Sequence, residues 1–301
     1  MNMISPVHSV SSVLATRAMI VSLNISQWEG RRIDRKVTNE VNQQHNAAAD
    51  AGRYNKLLLP KEALATIQSI VSATRTEFHE RTLPWMDKGG RIMASDGYLA
   101  HISWIRAQTS KFERAVDEFI VSYPDYVNDA QQRLGSLFKQ DDYPSADELR
   151  AKFRVDCRVF PVPTATDFRV DMSDAQAELI RQDIERNVAD ATTSAVQDVY
   201  KRVADVTGRM VERLNAYKPA VHKGEKSEGV FRDSLVENIR DLITVLPALN
   251  ITGDPELTAM ADKLKPLAEH NASTLRDNPT IRRDVADEAA KIFLSVSEYF
   301  A

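Results

Sequence analysis

The chain has 301 residues, of which 43% are hydrophobic and 27% are charged, as is usual for a folded soluble protein. Only ten residues are glycine, which favours helices over an all-β fold, and the formal net charge of −4 argues against a general nucleic-acid binder. No apolar run approaches the roughly 20 residues that a membrane span requires.

The first element that the sequence predicts is a half-buried strand at residues 18–28. Met19, Val21, Leu23 and Ile25 alternate with smaller or polar residues, which is the period of a strand. A basic segment follows at residues 29–36. We interpret it as a solvated turn that leads into a helix, with phosphate or carboxylate binding as the alternative.

Residues 60–123 predict an antiparallel helical hairpin. Pro60 suits the first turn of a helix, Pro84 ends that helix, and Ser95 can cap the next one. The segment LPWMDKGGR between them contains a Gly-Gly pair and is predicted to be a loop joining two helices of similar length. Pro124 is predicted to begin a separate helix.

Residues 153–172 are the one interior segment that is clearly not helical. Two alternating stretches flank Pro161-Val162-Pro163, so we expect two short strands that pair with residues 18–28. The two prolines restrict them to an edge or a loop, because proline cannot donate a backbone hydrogen bond.

A long helix is predicted from Ser173 to about Tyr217. Apolar residues recur there at steps of three or four, which keeps them on one face. They are Ile180, Ile184, Val188, Ala191, Ala195, Val199, Val203, Val206, Met210, Leu214 and Tyr217. Ser173 with Gln176 fits a capping box, and Pro219 marks the end.

The C-terminal part is predicted to be helical. Residues 219–230 form a polar, glycine-containing linker, and residues 231–246 form an amphipathic helix. Asp254-Pro255 and Asn278-Pro279 each place a capping side chain before a first-turn proline, so both begin helices. Pro266 is expected to kink or end the first of the two.

These elements predict a mainly α fold: an elongated helical bundle with the long central helix at 173–217, the hairpin at 60–123 and a small β element at 18–28 with 153–172. We expect a mixed N-terminal region at 1–172 and a helical region at 173–301, which could together form one continuous domain.

The sequence contains no catalytic or cofactor motif that we could identify. There is no Walker loop, GxGxxG, HExxH or GxSxG, and the six histidines are scattered. We therefore predict no catalytic residues, no cofactor and no metal. Cys157 is the single cysteine, which fits a reducing cytoplasm, and residues 1–13 lack the features of a signal peptide.

Two clusters combine tryptophan with cations, as single-stranded nucleic-acid binding requires. The candidate contact residues are Trp28, Arg31, Arg32, Arg35 and Lys36 in one cluster, and Trp85, Lys88 and Arg91 in the other. Trp104 lies across the predicted hairpin from the second cluster. We favour the interpretation that Trp85 and Trp104 close the hairpin core.

Six segments, in this order, resemble an uncharacterised family of tailed-phage and plasmid proteins that is catalogued as a domain of unknown function. They are NISQWEGRRID, AGRYNKLLLP, RTEFHERTLPW, FERAVDEFIVSYP, LRAKFRVDCRVFPVP with DFRVDM, and FRDSLVENIRDLITVLPALN. The resemblance covers most of the chain, and it transfers no functional residue. Because members are sometimes encoded near MoxR-type AAA+ ATPases and von Willebrand factor A proteins, it implies an adaptor in an ATP-driven remodelling system.

Four functional hypotheses follow. The first is a phage-encoded, non-enzymatic scaffold or adaptor in the host cytoplasm that binds a phage or host protein. The second is a nucleic-acid-binding accessory protein that uses Arg31–Lys36 and exposed tryptophans. The third is a self-assembling structural protein, since long apolar stripes often need a second copy. The fourth is an enzyme whose site only the geometry would reveal.

Overall fold

A computed structural model describes residues 10–86, 89–164, 174–220, 222 and 225–299. Helices dominate this part of the chain. They are α1 (Val10–Arg17), α2 (Arg35–Gln44), α3 (Ala65–Glu80), α4 (Tyr98–Leu134), α5 (Ala146–Arg150), α6 (Asp174–Ala216), α7 (Ser234–Leu249), α8 (Pro255–Ala268), α9 (Ala272–Asp277) and α10 (Pro279–Ser297). The strands are β1 (Ala18–Ser26), β2 (Arg31–Ile33), β3 (Asn55–Leu57), β4 (Leu83–Pro84), β5 (Arg91–Ala94) and β6 (Arg154–Pro161). The predicted mainly α class with a small β element is confirmed.

The chain forms two units, each built from segments that are distant in sequence. The first consists of residues 1–22, 79–101 and 158–301, and the second of residues 23–78 and 102–157. The domain boundary predicted between residues 172 and 173 does not coincide with any point at which the chain passes from one unit to the other. As a division into independently folding domains it stays a prediction.

The core of the first unit is organised along α6, as the apolar stripe predicted. Val188, Ala195, Val199, Val203 and Met210 are each fully buried. Helix α10 packs along α6, and α7 packs against both α6 and α8. Burying a valine or leucine stabilises a fold by roughly 1.5–3 kcal/mol, so this stripe is a main source of the unit's stability. The expected Ser173 cap lies outside the described residues.

Strands β4, β5 and β1 bring the loop after α3 into a sheet, which the sequence did not predict. Ala18 pairs with Ala94 and Val21 with Arg91, while Leu83 pairs with Ile92, all antiparallel. The strands lie in the order β4-β5-β1-β6 in this sheet. The predicted pairing of residues 18–28 with residues 153–172 is therefore confirmed for β6. The second strand, expected at residues 168–172, lies outside the described residues.

The hairpin prediction was wrong in two respects. Its linking segment is not a plain loop, because residues 83–94 contribute β4 and β5. Its helices are also unequal, with 16 residues in α3 and 37 in α4, because α4 continues through Pro124 to Leu134. Phe119, Tyr123 and Ala130 keep the same buried face on both sides of the exposed proline, and this packing outweighs the proline's cost.

The core of the second unit lies between α3 and α4 and includes aromatic side chains. Phe112, Phe119 and Tyr123 of α4 share it with Ile67 and Val71 of α3. The rings of Phe119 and Phe153 meet edge to face with centroids 5.9 Å apart, an arrangement that aromatic pairs favour.

The C-terminal caps form where the sequence predicted them. Asp254 accepts a hydrogen bond from the backbone N–H of Glu256, and Asn278 accepts two, from Thr280 and Ile281. Helix α8 passes Pro266 and ends two residues later at Ala268. The linker predicted at residues 219–230 begins and ends within the first unit. The backbones of Lys218 and Glu228 form a short antiparallel bridge there.

Candidate anion-binding site

The basic segment at residues 31–36 is largely neutralised by neighbouring carboxylates. Arg31 pairs with Glu29 at 2.9 Å and Arg32 with Asp142 at 2.9 Å. Lys36 lies 3.8 Å from Glu40 and is mostly exposed. Since exposed pairs of this kind contribute only about 0–1 kcal/mol, Arg31, Arg35 and Lys36 could still exchange partners. Their role in contacting a ligand stays a prediction.

Arg32 lies at the exposed edge of a charge cluster whose other side chains are buried. Lys56 on β3 is 2% exposed, and its ammonium group contacts Asp142, lies 3.4 Å from Asp34 and donates to the carbonyl of Leu137 at 2.8 Å. Asp34 also caps α2, and the backbone N–H of Val37 contributes most to lowering its pKa. Two lysine or arginine cations face two carboxylates, so the cluster is balanced and serves the fold.

The predicted tryptophans offer little surface for stacking a base. Trp85 is 4% exposed and belongs to the core of the first unit, whereas Trp28 is half-buried and meets Tyr123 edge-on at 6.0 Å. Lys88 lies outside the described residues. The exposed tryptophan faces that nucleic-acid stacking requires are therefore not present at Trp85.

Arg91 lies beside a second arginine from α6. Arg91 donates to the hydroxyl and the carbonyl of Thr82, both at 2.7 Å, and Arg202 donates to the same carbonyl at 2.9 Å. Asp198 accepts from Arg202 at 2.7 Å, so one carboxylate faces two guanidinium groups. Burial and the adjacent Arg202 lower the pKa of Arg91 to about 10, and burial followed by both arginines lowers the pKa of His79.

A cavity of about 310 Å³ lies near the other end of α6, at the start of α7. Three arginines line it: Arg209 and Arg213 from α6, and Arg232 from the segment before α7. In the described part of the chain, none of the three has a carboxylate within 4.0 Å or a hydrogen bond from its guanidinium group. Three cations around one cavity repel each other, and an anion inside it would relieve that repulsion.

A fourth arginine holds the segment of the cavity wall that carries Arg232. Arg276 donates to the carbonyl of Phe231 at 2.7 Å and lies over the Phe231 ring at 5.7 Å. Phe231 itself is buried, so the backbone that carries Arg232 is anchored on both sides. Ser234 and Asn238 add polar groups at the first turns of α7, where the helix dipole favours negative charge.

The arginines of α6 form one row along the helix. In an α-helix, two residues that are seven or 11 positions apart project in directions that differ by only about 20° around the helix axis. Arg202, Arg209 and Arg213 thus lie within about 20° of one line and span about 16 Å. Sequence spacing could have revealed this row, but it could not place Arg232 beside it, because 18 residues separate Arg213 from Arg232.

Within the described residues, the cysteine and the groups that could bind a metal ion do not form a site. Cys157 is half-buried, and burial raises the pKa of its thiol, which disfavours the reactive thiolate. Among residues 10–86, 89–164 and the rest of the described chain, no cluster of histidine, cysteine and carboxylates could hold a metal ion. None of the helices described here has the length and apolarity needed to cross a membrane.

Comparison with known proteins found no matching family model, no matching curated protein and no matching solved structure. The resemblance to the family of tailed-phage and plasmid proteins therefore stays a prediction.

Proposed function

We propose that this chain is a non-enzymatic adaptor that binds an acidic segment of another protein at the cavity lined by Arg209, Arg213 and Arg232. The observation that carries the proposal is the convergence of three arginines that have no carboxylate partner. Guanidinium groups bind carboxylates in a bidentate geometry, and such charge-assisted hydrogen bonds are about twice as strong as neutral ones.

The surroundings of the cavity favour a protein partner over a nucleic acid. Val230 is 57% exposed at its rim, and Leu235 lines its wall, so an apolar side chain next to an acidic one would find a surface to cover. The aromatic residue of the lining, Phe231, is 3% exposed and cannot stack on a base.

The test is fluorescence anisotropy with a labelled hexaglutamate peptide, in parallel with a labelled oligothymidylate. We expect the peptide to bind, and the variant R209Q/R213Q/R232Q to bind it at least about tenfold more weakly, since the three exposed charge pairs lost together cost about 1.4 kcal/mol or more. The control K201Q/K263Q/R283Q removes the same charge from exposed positions outside the cavity, and its affinity should stay within about twofold of wild type.

Three outcomes overturn the proposal. If neither probe binds, or if both triple variants weaken binding equally, the cavity is not the binding site. If the oligothymidylate binds more tightly than the peptide and the cavity variant abolishes that binding, the chain is a nucleic-acid-binding protein instead. An AAA+ ATPase partner and a self-assembling role stay predictions.

A further inference from the structure

The first unit contains a second and larger cavity, of about 480 Å³, whose lining differs in kind from that of the arginine cavity. It lies among the end of α1, the segment after β5, the end of α7 and the start of α8. Its volume falls in the range of small-molecule sites. Two charged residues line it, Arg17 and Asp96, together with an apolar wall from Leu246, Leu257 and Ala261.

Neither charged group has a protein partner within the described chain. The guanidinium group of Arg17 and the carboxylate of Asp96 make no hydrogen bond or ion pair with any described residue, and they are not within 4.0 Å of each other. The other polar groups of the lining are already used. Asn250 donates to the Asp254 carbonyl at 2.8 Å and accepts from its N–H, and the Ser95 hydroxyl donates to the Arg17 carbonyl at 3.0 Å.

The position of Arg17 depends on a glycine. Gly253 has a φ of +69°, and a Cβ atom built there would lie 2.1 Å from the Arg17 guanidinium group. The guanidinium group thus packs on the Gly253 backbone, in space that any other residue would occupy. This contact covers one face of the exposed guanidinium group, whose N–H donors make no hydrogen bond with a described residue.

We propose that this cavity binds a small zwitterion with an aliphatic body, of the amino-acid class. Its carboxylate would accept hydrogen bonds from Arg17, its ammonium group would donate to Asp96, and its side chain would cover Leu246, Leu257 and Ala261. Such a ligand satisfies both free charges at once, whereas a simple anion would leave Asp96 facing a second negative charge.

Isothermal titration calorimetry with three probes of similar shape tests the proposal. They are L-leucine, 4-methylpentanoate, which lacks the ammonium group, and 3-methylbutylamine, which lacks the carboxylate. We expect leucine to bind at least about tenfold more tightly than either analogue, because each analogue leaves one charge of the site without a partner.

Two single variants test which residue binds the carboxylate of the ligand and which binds its ammonium group. R17Q should weaken leucine binding at least about tenfold, and D96N should do the same while leaving the binding of 4-methylpentanoate unchanged or stronger. K263Q is the control, because Lys263 is exposed on α8 and does not line the cavity. The thermal unfolding of each variant, followed by circular dichroism, shows whether it is folded.

Three results contradict the proposal. One is the absence of binding of all three probes at concentrations up to about 10 mM, where dissociation constants in the millimolar range would be detected. The second is equal affinity for leucine and 4-methylpentanoate, and the third is leucine binding that folded R17Q and D96N both retain. The variant R209Q/R213Q/R232Q should bind leucine like wild type, so failure of this site and of the proposed adaptor site are distinguishable.

Discussion

At the scale of single residues, burial decides what the charged and titratable groups of this protein do. Lys56 is buried and faces two carboxylates, so removing it would leave Asp34 without a cation and Asp142 with Arg32 alone, and its role is structural. The three arginines of the α6–α7 cavity are exposed and unpaired by carboxylates, so they remain available for a ligand. Positively charged residues therefore have different roles in this protein, and their surroundings distinguish these roles.

His101 on α4 provides a residue-scale prediction about pH. Burial, and to a smaller extent the charge of Arg81, lower its pKa to about 4. The folded pKa is below the unfolded value of about 6.5, so the unfolded chain binds more protons between these values. The free energy of unfolding therefore has its full value above about pH 6.5, where His101 is neutral in both states. It decreases as the pH falls towards 4, because the unfolded chain gains the proton first.

We expect the free energy of unfolding to fall by on the order of 3 kcal/mol between pH 7 and 4 through this group alone. Urea denaturation of wild type and H101L across that range measures the effect, and H101L should lose less stability on acidification. H45Q, which alters an exposed histidine, should follow wild type. Parallel curves for wild type and H101L would show that the histidine does not control this dependence.

At the scale of elements, α6 shows why its apolar stripe could be recognised in advance. The predicted residues form the packed face, and the one glycine of the helix, Gly208, lies against the Phe293 ring of α10, where a Cβ atom would come within 3.1 Å. Helix α10 thus approaches α6 closely over small side chains. Periodicity predicts which face is buried, but it does not identify the helix that covers it.

The substitution A195L tests this packing. Ala195 is fully buried on the packed face, and three additional carbon atoms should lower the free energy of unfolding by about 1–3 kcal/mol. The matched control is A259L on the exposed face of α8, which should change it by about 0.5 kcal/mol or less. Urea denaturation measures both, and equal stability of the two variants would contradict the packing described here.

At the scale of the whole molecule, the main finding is that each unit is built from segments that are far apart in the sequence. The core of the first unit combines Leu14 of α1 and Leu83, Trp85 and Ile92 of the segment 79–101 with the helices of residues 174–301. The chain passes between the units four times. A division at one point in the sequence consequently separates residues that share a core.

We therefore expect a fragment of residues 174–301 to be much less stable than the same helices in the full chain. Each large apolar residue missing from the core costs roughly 1.5–3 kcal/mol, against a total stability of about 5–15 kcal/mol for a typical domain. Urea denaturation followed by circular dichroism compares the two. If the fragment unfolds as cooperatively and at the same urea concentration as the full chain, residues 174–301 form an independent domain, as the sequence first indicated.

Local patterns in the sequence determined most of the longer helices, several of their caps and the buried face of α6, because periodicity and capping depend on residues close together in the chain. They also indicated β1 and β6. Packing over longer distances decided the rest: the continuation of α4 through Pro124, the strands formed by residues 83–94, and the place of Trp85 in the core of the first unit instead of the hairpin core. The arginine cavity was also decided by tertiary structure. Arg232 lines it together with Arg209 and Arg213 only because the chain before α7 passes next to α6.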